Sequence, residues 1–228
     1  MKRVVITGIG AVTAFGKTWE DVKAAFQRKQ NAVQAKTEWA ERYPELGANL
    51  GAEIHDYTPP AHWNRKQLRS LGRVSQFAVE AAELALASAN LLDENGIILP
   101  YLKEGTMGVA CGSSTGSTND VRDAAELLMT GKSDGFNANT YVRMMPHTTA
   151  ANIGIFFGLT GRIIPTSSAC SSGSQGIGYA YESIKHGLIP MMLAGGAEEF
   201  CPSEVYVFDS LYAASRNNAH PKQTPRPY

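Results

Sequence analysis

Short apolar runs alternate along this chain with longer stretches of helical period, and that alternation constrains the fold more than any single motif does. Thr106 to Cys111, Arg162 to Ser168 and Met191 to Ala194 read as strands. Val4 to Thr7, β-branched and uncharged, reads as a buried first strand that leaves through the glycines after it. From Arg73 to Leu92 the positions Val74, Phe77, Ala78, Ala81, Leu84, Ala85 and Ala89 recur at helical spacing. Thr18 and Asp21 form a capping-box-like start to a helix with Val22, Ala25 and Phe26 on one face. Ser117 and Asp120 open another, with Val121, Ala124, Ala125 and Leu128 directed inward and Gly131 as its stop. Thr149 to Phe157 predicts a helix ending at Gly158, and a further helix runs from Ser171 to His186. Trp39 to Trp63 reads as loop with short elements. Strands separated by helices predict a mainly parallel sheet with helices on both faces, within one domain or part of one.

The 228 residues suffice for one substantial core, and a composition of 43% apolar and 18% charged residues is that of a globular chain, not a disordered one. A net charge of zero supplies no global field toward nucleic acid or an anionic membrane, so docking falls to local patches and no nucleic-acid partner is expected. Cys111, Cys170 and Cys201 form no CxxC spacing and fit a reducing cytosol better than a disulfide scaffold. The run from Val4 to Phe15 follows Lys2 and Arg3 as a leader would, but Gly8, Gly10 and Gly16 interrupt it. No apolar stretch approaches the roughly 20 residues that span a bilayer, so the expectation is a cytoplasmic protein without a membrane span. Gly8-Ile9-Gly10 with Gly16 is too loosely spaced for a dinucleotide fingerprint, and nothing has metal-ligand spacing, so neither a nucleotide cofactor nor a metal is expected.

Chemistry concentrates in Ile163 to Gly173, which runs from a strand into a helix with Cys170 at the junction. A thiol at a helix N-terminus feels the positive end of the backbone dipole, which favours the nucleophilic thiolate. Ser171, Ser172, Gly173 and Gly176 are small and would leave room for a substrate to approach the sulfur. The competing role, a buried cysteine acting as a small apolar residue, suits Cys111 and Cys201. Gly112-Ser113-Ser114-Thr115-Gly116 also spells the G-x-S-x-G elbow of a serine hydrolase, with Ser114 as its nucleophile. A hydrolase would need Asp and His later in the chain, and no such pair stands in a recognisable context.

Ser168-Ala169-Cys170-Ser171-Ser172-Gly173 resembles the nucleophile signature of the condensing enzymes, and Met192-Leu193-Ala194-Gly195-Gly196-Ala197-Glu198 resembles the strand and turn that follow their nucleophile helix. Val4 to Gly10, Met144-Met145-Pro146 with Asn152, Phe157 to Gly161 and Ser215-Arg216-Asn217 extend the resemblance to the elongating β-ketoacyl-acyl carrier protein synthases over the whole chain. It implies a thiolase-like α/β fold, of which residues 1–228 supply the N-terminal half of two similar halves, each built on a five-stranded sheet. It also implies a ping-pong reaction. Cys170 takes an acyl group from a carrier-protein thioester, malonyl-carrier protein loses carbon dioxide, and the carbanion attacks the acyl-cysteine to give a β-ketoacyl product. The backbone N–H of Cys170 would then serve in the oxyanion hole.

Further implications of the resemblance concern surfaces and boundaries. Thr115 falls near the acyl-pocket wall, with a solvated turn residue as the equal alternative. Arg65, Lys66 and Arg69, followed by Arg73, fall at the docking patch for the acidic acyl carrier protein, the alternative being a solvated helix face. The strand containing Pro165 pairs across a homodimer axis, and a proline there is compatible with a sheet edge. The family's two catalytic histidines and gating phenylalanine belong to its second half, and Arg226-Pro227-Tyr228 resembles the segment before the last strand of the first. Residues 1–228 are therefore expected to form an incomplete N-terminal domain, inactive alone. His55, His62, His147, His186 and His220 have ordinary surface, loop or helix-end roles as the favoured reading. The non-enzyme alternative is a remnant or subunit that binds a carrier or partner without turnover.

Overall fold

The computed structural model describes residues 2–226, so Pro227 and Tyr228 of the C-terminal Arg-Pro-Tyr motif lie outside the described residues. In chain order the elements are α1 (Trp19–Gln27), β1 (Gln34–Ala35), α2 (Thr37–Arg42), β2 (Leu50–Gly51), α3 (Arg65–Leu68), α4 (Arg73–Ser88) and β3 (Met107–Gly112). They continue with α5 (Thr118–Thr130), α6 (Ala138–Met144), α7 (Thr148–Phe157), β4 (Ile163–Pro165), α8 (Ser172–Lys185), β5 (Met191–Gly196) and α9 (Pro202–Ser210). The described residues form two compact units, one of residues 2–11 with 59–199 and the other of residues 12–58 with 200–226.

In the larger unit the strand order is β4-β3-β5 and both pairings are parallel. All six residues of β3 are buried, as a central strand requires. Its side chains alternate between faces. Met107, Val109 and Cys111 enter a core shared with Ile153 and Phe157 of α7 and with Val79 and Leu86 of α4. Gly108, Ala110 and Gly112 present almost no side chain to the other face, and there α8 approaches closely. A Cβ added to Gly176 would stand 2.6 Å from the Ala110 carbonyl oxygen. β4 is an edge strand, and Pro165 is its last residue, opposite Cys111, which meets the condition for a proline in this sheet. The glycine stops hold as well: Gly131 and Gly158 cap α5 and α7 in the left-handed conformation, at φ 71° and 68°.

Two expectations fail. Val4 to Thr7 forms no paired strand among the described residues, and Val5, Ile6 and Ile9 are exposed. An apolar run specifies that a segment should be covered, but a strand needs a backbone partner, and none of the described residues supplies one. Gly8 and Gly10 are positioned by another requirement, since a Cβ on either would collide with backbone carbonyls of α4, at Ala85 and Ala81 respectively. The stripe on α5 does not face inward either. Val121 and Leu128 are exposed, and the buried α5 residue is Asp120, paired with Arg143 of α6 at 2.6 Å. In α1 the Thr18 cap forms and Ala25 is buried, but Phe26 is exposed and meets the Phe15 ring edge-on.

The smaller unit is built on a short antiparallel β1-β2 pair with α1, α2 and α9. Trp39, Leu46, Ala48 and Val205 form its core, with Trp39 stacked on Phe200 at 4.9 Å. The buried Asp209 carboxylate accepts from Arg216 Nε at 2.6 Å and from the Gly47 N–H at 2.8 Å, which fixes the turn around Arg216 to the loop before β2. No described helix is long and apolar enough to cross a membrane.

Candidate active site

Because β3, β4 and β5 run parallel, their carboxyl ends open at the same end of the sheet, which is where open α/β sheets place their ligands. The turn from β4 into α8 is the most constrained piece of backbone there. Ala169 lies at φ 52°, a left-handed conformation that costs a residue with a Cβ roughly 1–2 kcal/mol. Hydroxyls hold it in place. Ser172 Oγ accepts from the Ser168 N–H at 2.9 Å and donates to the Ala169 carbonyl at 2.6 Å. Thr166 Oγ1 donates to the Ser172 carbonyl at 2.9 Å, and Ser171 Oγ donates to the Ser168 carbonyl at 2.9 Å. Cys170 follows Ala169 immediately and is an exposed free thiol two residues before the first residue of α8.

The small residues after Cys170 do not all make room for a substrate, contrary to the sequence expectation. Ser172 and Gly176 are buried on the sheet side of α8, where Ser172 clamps the turn and Gly176 lets the helix rest on β3 and β5. Ser171 remains on the exposed side.

The loop after β3 carries Ser113, Ser114 and Thr115. Ser113 Oγ donates to Glu198 at 2.8 Å, the Ser114 N–H donates to the same carboxylate at 2.7 Å, and the Ser114 hydroxyl donates to it too. One residue on, Glu199 accepts from the Thr118 N–H at 2.6 Å and from the Thr118 hydroxyl. The two carboxylates beyond β5 thus tie down the β3 loop and the start of α5. The G-x-S-x-G hydrolases use an imidazole to take the proton of their serine; Ser114 has a carboxylate in that place. Thr115 is exposed on this loop, and Gly116, at φ 71°, packs against the Met144 carbonyl, where a Cβ would come within 2.5 Å.

Asn64 begins α3 with a full capping box to Gln67, and Arg65 and Lys66 project from it into solvent. Arg69, at its C-cap, is exposed as well, and its carbonyl accepts from Arg143 Nη1 at 3.2 Å. The Arg143–Asp120 pair therefore props the basic segment from beneath. Arg73 differs from these three, its guanidinium lying 4.8 Å from the Phe77 ring centre. The histidines have other company: His62 bonds Glu83 at 2.8 Å, His55 lies 3.9 Å from Glu53, and His147 and His186 occupy helix-cap positions. His220 precedes a short 3-10 turn.

The remaining thiols are interior. Cys201 is buried beside the Ser203 hydroxyl. Cys111 is buried in the central strand, and loss of solvation pushes its thiol up from an ordinary 9.0 to about 12. A thiol kept neutral by folding contributes stability that is whole below pH 9.0 and is lost as the pH rises toward about 12. The free energy of unfolding, measured by denaturation between pH 8 and 11, should therefore fall more steeply for the unmutated chain than for Cys111→Ala, by up to about 1.4 kcal/mol per pH unit. Parallel curves would show that unfolding does not release this proton.

Comparison with known proteins places this geometry. Residues 1–227 match the family described as beta-ketoacyl synthase, N-terminal domain. The crystal structure of a beta-ketoacyl synthase from Burkholderia phymatum superimposes with a TM-score of 0.94 at 49% identity, over 100% of this chain and 54% of that one. The 3-oxoacyl-[acyl-carrier-protein] synthase 2 of Synechocystis is 26% identical over 228 residues, covering 100% of this chain and 53% of the relative. Nodulation protein E of Rhizobium meliloti is 32% identical over 204 residues, covering 86% of this chain and 47% of that protein. The chain thus spans about half the length of the relatives it matches.

Proposed function

Since the chain belongs to the β-ketoacyl synthase family, in the part that forms its N-terminal domain and thiolase-like α/β fold, we propose that it carries the nucleophile of a decarboxylative condensing enzyme. The observation that supports this reading is the exposed Cys170 thiol, on a hydroxyl-clamped turn at the carboxyl end of the parallel sheet. Its thiolate attacks the carbonyl of an acyl-carrier thioester, a tetrahedral oxyanion forms toward the Cys170 N–H, and the carrier thiolate leaves. Malonyl-carrier protein then loses carbon dioxide, and the carbanion so formed attacks the acyl-cysteine, releasing the sulfur and the β-ketoacyl-carrier product. The family's two histidines and gating phenylalanine are assigned to sequence outside the matched half. The same reading puts the protein in the cytoplasm as a homodimer paired through β4, and places Thr115 by the acyl chain.

Arg65, Lys66 and Arg69 are proposed to receive an acidic acyl carrier protein. Two substrates test the reading together, an acyl-carrier protein and a small carrier-free acyl thioester, each given to the full-length protein. Both should leave an acyl mass on the peptide containing Cys170. Absence of any acyl-Cys170 would overturn the enzyme in favour of a subunit that only binds. Reversing the three charges to Glu should raise the Michaelis constant for the carrier-borne substrate about tenfold, less as salt screens charges beyond roughly 8 Å. The small thioester should be unaffected, because the chemistry at Cys170 is untouched. Equal losses for both substrates would make the patch a support of the fold; no loss for either would send the carrier elsewhere.

A further inference from the structure

We infer that Ser172, braced by Thr166, is a positioning residue that aims Cys170 for acyl transfer; this rests on the reading of Cys170 as the nucleophile. Ser172 is buried, with 4% of its surface exposed. The hydroxyl spends both its capacities on the turn that carries the sulfur, accepting from the Ser168 N–H and donating to the Ala169 carbonyl. Those two groups flank the peptide units leading into Cys170. Ala169 sits at φ 52°, where an alanine stays only if its surroundings hold it. Thr166, with 3% exposure, adds the bond from Oγ1 to the Ser172 carbonyl, closing a loop from the end of β4 to the first turn of α8.

Removing the Ser172 hydroxyl leaves the Ser168 N–H without its partner and the Ala169 carbonyl with the Ser172 backbone N–H alone, at 3.1 Å, which loosens the hold on Ala169 in its left-handed conformation. The Cys170 side chain and its N–H then turn together. Acyl transfer needs both in register, the sulfur on the carbonyl carbon and the N–H on the developing oxyanion. Alkylation of the same thiol by iodoacetamide forms no oxyanion and has no such requirement. The ratio of the two rates on one sulfur therefore separates aim from mere exposure.

The experiment measures single-turnover acylation by a carrier-free acyl thioester and alkylation by iodoacetamide, both at Cys170 of the full-length protein and both read by mass spectrometry. Ser172→Ala should slow acylation roughly 10- to 100-fold while alkylation stays within about threefold. Thr166→Val, which keeps the shape and removes one hydroxyl, should lower the same ratio by a smaller factor. Ser172→Thr, which restores a hydroxyl at this position, should recover most of it. If both rates fall equally in Ser172→Ala and Thr166→Val, or if Cys111 and Cys201 become labelled, the hydroxyls only support the fold and the inference is overturned. Acylation unchanged in both variants overturns it as well. An unmutated protein that is alkylated at Cys170 but never acylated sinks the condensing-enzyme reading itself, and the inference with it.

Discussion

Replacing Cys170 with alanine should reduce acyl transfer to the full-length protein by about 10⁴-fold or more, whereas Ser114→Ala should leave it within about threefold. The difference follows from what surrounds each side chain. Cys170 is an exposed thiol, and under the proposed function its loss removes the atom that takes the acyl group. Ser114 carries a hydroxyl that donates to Glu198, a carboxylate that also holds the Ser113 hydroxyl and the Ser114 N–H and so ties down the loop. After Ser114→Ala, Glu198 keeps the Ser113 hydroxyl and the Ser114 N–H, so the loop stays tied to β5. Quenched single-turnover reactions, with the acyl mass located by peptide mapping, check both variants. A Cys170→Ala protein that still acylates, paired with a dead Ser114→Ala protein, would reverse the assignment and restore the hydrolase.

The parts of this site that the sequence made legible are those governed by local rules. A strand running into a helix put Cys170 at their junction, and α8 and β4 meet on either side of it. Gly131 and Gly158 marked helix ends because only a residue without a Cβ adopts the left-handed cap at little cost. The strands at 107–112 and 191–196 followed from apolar runs of strand length. What stayed hidden depends on partners distant in the chain. Glu198 stood inside a motif that resembled the family, yet no local pattern joins it to Ser113, which lies 85 residues earlier. Ser172 was read by size alone, although its hydroxyl, not its smallness, fixes the turn. Val4 to Thr7 had the composition of a strand but no neighbour to pair with among the described residues. On α5 the apolar stripe was real, but the buried position is Asp120, whose carboxylate, once taken out of water, needs the partner that Arg143 of α6 supplies.

The same helix that begins beside Cys170 offers a test in which two glycines, two residues apart, respond with opposite sign. Alanine is favoured over glycine in a helix interior by about 1 kcal/mol, so propensity alone would make both Gly176→Ala and Gly178→Ala stabilising. At Gly178 a Cβ meets nothing within 4 Å, and the gain should be realised. At Gly176 it would stand 2.6 Å from the Ala110 carbonyl oxygen and 3.0 Å from that of Gly195. Both oxygens belong to strands held in the parallel ladder, where Ala110 is paired with Ala194 and Cys111 with Gly195, so neither can retreat without loosening the sheet. Overpacking of this kind costs typically 1–3 kcal/mol, and against a rigid backbone it should sit at the upper end and outweigh propensity. We expect Gly176→Ala to lose about 2 kcal/mol net in urea denaturation, and Gly178→Ala to gain up to about 1 kcal/mol. The relief available to Gly176→Ala is for α8 to lift from β3 and β5, which carries its first turn and the Ser172 clamp with it. Acylation of Cys170 should therefore fall in Gly176→Ala and hold in Gly178→Ala. Two variants of equal stability would place α8 farther from the sheet than these contacts do.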